Sequence, residues 1–179
     1  PEALDAVHYA PPASIEQTLG FLAEVYNYVV VDCAPGLTDA TIASIAQSDQ
    51  VAIVLTAELP AVRNTVRYLE HLNKLGYGSN NLRIILNRHS KKGPLPDDKV
   101  EKALQRPISH RIPNNYAEVI RAINAGTPIS ADDKSEFAQA IDRWAKELKS
   151  GSDKAKAAAP EASRGGVLLS RVTWPESRS

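Results

Sequence analysis

The chain has 179 residues, 43% of them apolar, and balances 21 lysines and arginines against 21 aspartates and glutamates. This is enough to bury one ordinary core, and the balance leaves no global field drawing the protein to nucleic acid or an acidic partner. Cys33 is the only cysteine, which excludes an intramolecular disulfide and agrees with a reducing cytoplasm. No apolar run reaches the roughly 20 residues needed to span a bilayer, and no signal peptide opens the sequence. There is no methionine and the chain starts at Pro1, so the expectation is a fragment or a processed product.

In chain order, Leu4 to Tyr9 reads as a short strand stopped by Ala10-Pro11-Pro12. Ser14, with Gln17 three residues on, has the spacing of a capping box, and Ile15, Leu19, Leu22 and Val25 recur at helical intervals. Tyr28 to Asp32 reads as a strand, Thr38 to Gln47 as a helix, and Val51 to Thr56 as a second buried strand. Pro60 suits the first turn of the next helix, striped by Val62, Val66, Leu69, Leu72 and Leu75, with Gly76 as its left-handed terminator. Leu82 to Asn87 is a strand, Arg88 to Pro96 a polar loop, Asp97 to Leu104 a helix and Ile108 to Ile112 a strand. Tyr116 to Asn124 is a helix ended by Ala125-Gly126. Ser130 is placed to cap a last helix with an inward stripe of Phe137, Ile141, Trp144 and Leu148.

Strands alternating with amphipathic helices imply right-handed crossovers and an α/β fold, a mostly parallel sheet with helices on both faces. The domain is expected over residues 1–148. From Lys149 the sequence turns rich in Lys, Ala, Ser and Gly, too poor in apolar surface to offset its ordering entropy, and residues 149–179 read as a disordered tail.

Tyr28-Val-Val-Val-Asp32-Cys-Ala-Pro-Gly36 concentrates the chemistry. A continuous apolar run suits a strand buried on both faces, and Asp32 then stands at its carboxyl end, where open α/β sheets bind ligands. The alternative is an aspartate that caps its own turn. The four histidines, at 8, 71, 89 and 110, lack metal-ligand spacing, and one cysteine cannot complete a zinc site. Arg88-His-Ser-Lys-Lys92 is a small basic cluster with no aromatic or further basic stripe beside it, which favours a solvated loop over a DNA contact.

From about Leu4 to Ile129 the chain resembles the C-terminal part of a MinD/ParA-type P-loop ATPase, closest to the CpaE-like pilus-assembly branch. The marks are Tyr26-Asn-Tyr-Val-Val-Val-Asp32, Pro35-Gly36, Ser48-Asp49-Gln-Val51, Leu59-Pro-Ala-Val-Arg63-Asn64, Ile85-Leu-Asn87-Arg88, Ile112-Pro113-Asn114 and Ala122-Ile-Asn-Ala-Gly126-Thr-Pro128. Each is weak alone, and seven in order and at the right separations are specific. No Gly-x-x-x-x-Gly-Lys-Ser/Thr phosphate loop occurs in the chain, as expected of a piece that begins after it. The first strand of such a sheet would normally pair beside the strand ending at Asp32, so its omission leaves two strands short of a ladder partner.

The resemblance implies that the cofactors are ATP and Mg²⁺. Asp32 would hold the metal through water, Gly36 would open the switch segment that senses the γ-phosphate, Asn87 would read the adenine edge, Arg88 would lie beside the base, and Pro113-Asn114 would wall the far side. It also implies an ATP-dependent homodimer in the cytoplasm that places or assembles a surface structure, a type IV or Tad-like pilus, with pilus-assembly or polar-localisation proteins as partners and the isolated fragment inactive. A non-catalytic localisation scaffold and a DNA-partition ATPase are the competing readings. Val167 to Trp174 has apolar residues at helical spacing with arginines beside them, as in the membrane-binding tails of MinD-like proteins. Pro175 cuts that segment short, so a weak peripheral membrane contact competes with a plain tail.

Overall fold

The computed structural model describes residues 10–77, 81–130 and 133–158. The expected strand at Leu4 to Tyr9 and the segment at 167–174 lie outside them. Among these residues are six helices and three strands, in the order α1 (Pro12–Val25), α2 (Asp39–Ala46), β1 (Val51–Leu55), α3 (Leu59–Lys74), β2 (Leu82–His89), α4 (Asp97–Leu104), β3 (Ile108–Pro113), α5 (Tyr116–Ala125) and α6 (Glu136–Ala158). The sheet has the order β1-β2-β3 with both pairs parallel. It is the α/β arrangement that the alternation of the sequence implies.

Each face of the sheet has its own core. On one, Val51, Ile53, Leu55, Leu82, Ile84, Leu86 and Ile108 pack with Val62, Leu69 and Leu72 of α3, Val100 and Leu104 of α4, and Ile45 of α2. On the other, Ala52, Ile85 and Ile112 meet Ala140 of α6, with Phe137 and Trp144 closing over them. The continuous apolar runs of β1 and β2 are thus the signature of strands covered on both sides. Leu86 is fully buried.

Several expectations are corrected. Tyr28 to Asp32 has no regular secondary structure and joins no strand ladder, and Val30 is 66% exposed. An apolar run becomes a strand only beside another strand, and none of the described ones lies along it. α1 starts at Pro12, ahead of Ser14, because a proline at the first helical turn comes with its φ already set. Its apolar stripe buries no residue fully. Leu75 and Ile141 are exposed. The last helix is capped by Ser135, whose hydroxyl accepts from Ala138 N–H at 3.2 Å, and not by Ser130. α6 continues to Ala158, past the Lys149 boundary. By contrast Gly76, at φ +81°, follows α3 as expected, and Gly126 ends α5 at φ +63°.

Candidate nucleotide site

Parallel strands present all their carboxyl ends at one edge, and two of the sequence motifs meet there. In β2, Leu86 pairs with Arg111 of β3 and His89 pairs with Pro113. β2 therefore spends three steps where β3 spends two, and the extra residue makes a bulge at Asn87 and Arg88. Arg88 takes a left-handed φ of +52°, a conformation that costs a non-glycine residue about 1–3 kcal/mol. Its N–H donates to Asn87 Oδ1 at 2.9 Å, and just beyond it Asn114 N–H donates to His89 O at 3.1 Å. Asn87, Arg88, Pro113 and Asn114 are accordingly neighbours at the ends of adjacent strands.

The bulge is bridged from outside the sheet. Asp97, at the start of α4, accepts from Arg111 Nε at 2.5 Å through Oδ2, while its Oδ1 lies 3.2 Å from His89 Nε2. Glu101, one turn along, accepts from Ile108 N–H at 2.9 Å and lies 3.4 Å from an Arg111 terminal nitrogen. Burial alone would raise the Asp97 carboxyl. The hydrogen bond and charge of Arg111, joined by His89, outweigh burial and hold it below the usual carboxylate value. Sequence reasoning missed this group. The two aspartates after Pro96 read as ordinary first-turn acids suited to the helix dipole, and nothing local identifies a partner fourteen residues away.

Asp32 is exposed and precedes Gly36, whose φ of +107° requires glycine. Among the described residues, no hydrogen bond or ion pair joins Asp32 to the β2 and β3 ends, and no group of three or more acids, histidines or cysteines forms a metal cage. A lone exposed carboxylate fits Mg²⁺ in one respect, since that ion keeps most of its waters and takes one or two carboxylates beside phosphate. Asn87 fits an adenine edge in hydrogen-bond capacity: its oxygen is used once, leaving a lone pair and the two Nδ2 hydrogens.

At the opposite end of the sheet, Gln50, Arg83, His110, Trp144 and Glu147 line a cavity of about 140 Å³. His110 stacks obliquely on Trp144 with centroids 5.5 Å apart, and its Nε2 lies 3.4 Å from Glu147.

The parallel strand order and the two covered faces are those of a P-loop NTPase-like α/β fold. No family model matches the chain. It is 26% identical over 129 residues to the septum site-determining protein MinD of Thermotoga maritima, a match covering 69% of this chain and 47% of that one. The ParA family ATPase of Chlorobium tepidum superposes with a TM-score of 0.75 at 24% identity, over 83% of this chain and 62% of that one. MinD of Pyrococcus horikoshii, solved in complex with Mg-ADP, superposes with a TM-score of 0.65 at 21% identity, over 78% and 57% of the two chains. The chain spans about half the length of the curated relatives it matches.

Proposed function

We propose that this chain is the base-binding and switch portion of a MinD/ParA-type ATP-dependent switch. The observation that carries the reading is the bulged end of β2, which sets Asn87 and Arg88 beside Pro113-Asn114 at the carboxyl edge of a parallel sheet. In this reading Asn87 donates to a ring acceptor of adenine and accepts from its exocyclic amine. Arg88 flanks the base and Pro113-Asn114 forms the opposite wall. Asp32 would hold Mg²⁺ through water, and Gly36 would let the following backbone approach a phosphate. When bound, the metal supplies charge neutralisation at the phosphates. This chain's own contribution is to orient the base and to hold one carboxylate at the metal's side.

The intact protein is then an ATP hydrolase that dimerises with nucleotide and positions a cellular structure in a bacterium. The septum-siting name of the Thermotoga relative supports positioning as the role. A pilus as the cargo draws on the sequence resemblance to the CpaE-like branch alone. A weak peripheral membrane contact and a cytoplasmic location rest on the same resemblance. Among the described residues, no helix is long and apolar enough to cross a membrane.

Guanine places a carbonyl where adenine has its amine, so the Asn87 oxygen would face another acceptor at a cost on the order of 1–3 kcal/mol. The full-length protein should prefer ATP to GTP by roughly tenfold or more. Asn87→Ala should erase most of that preference in competition binding. A preference that survives in full makes Asn87 a turn cap and moves base recognition elsewhere.

A further inference from the structure

We propose that Asp97 is a positioning residue that sets base selectivity by fixing the bulge at Asn87 and Arg88; the proposal rests on the base-binding reading of Asn87. The bulge is the second of two register shifts between β2 and β3 and falls between Leu86 and His89, and a strand end with an extra residue has more than one way to place it. Asp97 removes that freedom with a single carboxylate. One oxygen holds His89, the first β2 residue after the bulge, and the other holds Arg111, which pairs with Leu86 just before it. The two strands are thereby tied on both sides of the segment that carries the base-reading amide. Arg88 keeps its left-handed φ between these anchors, and its N–H fixes Asn87 Oδ1. Glu101 braces the same guanidinium and the start of β3, so α4 grips β3 at two heights. None of these acids needs to touch a ligand to matter, because a base-reading amide is useful only when its donor and acceptor are correctly aimed.

Asp97→Asn tests this with almost no change in volume. An amide keeps one acceptor, gains a donor and removes the negative charge that holds Arg111, and His89 keeps a partner only as the tautomer whose Nε2 accepts. ATP and GTP competition binding on the full-length protein should show the preference for ATP reduced by about threefold to tenfold, with affinity for inorganic triphosphate unchanged. Asp97→Glu, which keeps both oxygens, should restore part of it, and Arg111→Gln should reduce the preference in the same direction. Thermal melting of each variant establishes that it is folded, and Arg111→Gln decides the matter if Asp97→Asn does not fold. An unchanged preference in Asp97→Asn, while Asn87→Ala abolishes it, overturns the positioning role and leaves the base reading standing. Equal loss of affinity for ATP, GTP and triphosphate also overturns it, as a purely structural brace. Retention of the preference by Asn87→Ala overturns both readings.

Discussion

Residues 28–32 and 51–55 are both apolar runs that follow an amphipathic helix, yet they reach different states. Val51, Ala52, Ile53 and Leu55 are 1–5% exposed and laddered to β2. Val30 is 66% exposed, and the stretch around it joins no ladder. The same contrast runs through the flanking helices. α3 buries Val62, Thr65, Leu69 and Leu72, whereas α1 buries none of its residues and leaves Phe21 and Val25 largely open. Apolar character supplies the drive to be covered, and a neighbouring strand or sheet face decides whether it is satisfied.

The sharpest test of the contrast is a pair of truncations measured by urea unfolding of the 179-residue chain. Leu86→Ala empties a fully buried site on the central strand and should cost about 2–5 kcal/mol. Val30→Ala should stay within about 0.5 kcal/mol. Equal losses would mean that residues 28–32 are packed as firmly as the sheet. Gly36→Ala asks whether the N-terminal region is coupled to the rest. At φ +107° a Cβ is strained even though it meets no atom within 4 Å, and the penalty should be about 1 kcal/mol. Leu37 and Ile45 pack into the larger core, so the loss should appear in the global transition. A transition that does not move would separate the two regions.

The smallest effect concerns His110, on the well-packed side. Burial holds its imidazole below the ordinary value of 6.5, Arg83 and Arg143 push the same way, and Glu147 opposes them. The folded state therefore favours the neutral ring, and the unfolded chain takes up the proton first as pH falls. Stability from this group is full above about pH 6.5 and declines as pH drops towards the lower folded value. Chemical denaturation across that window should show the decline, and His110→Gln should flatten it. An unaltered slope in the variant would assign the decline to other groups.

The layered part of the fold was legible because its signals are local. The periodicity of α3, the runs of β1 and β2, and the glycines after α3 and α5 each match the observed element. Legibility failed where a distant group or a competing local signal decided the outcome. Tyr28 to Asp32 has strand composition without a ladder, the caps fall at Pro11 and Ser135 in place of Ser14 and Ser130, and α6 continues to Ala158. At the candidate site, Asn87, Arg88, Pro113 and Asn114 could be named from sequence, and parallel pairing brings them together. The bulge and its tie to Asp97 depend on register and on a contact across fourteen residues, which no window of sequence displays.

The extra residue in β2 also resets the phase of the strand. Leu86 faces the α3–α4 side, Ile85 the α6 side, and an uninterrupted alternation would send His89 to the α6 side with Ile85. Spending one residue on the bulge returns His89 to the side of α4, where Asp97 meets it. The length of β2 between Leu86 and His89 is therefore a coding quantity. The same three steps laid out as regular strand, without the bulge, would exchange which layer receives the histidine, while the loop from Ser90 to Pro96 can change length without altering that parity.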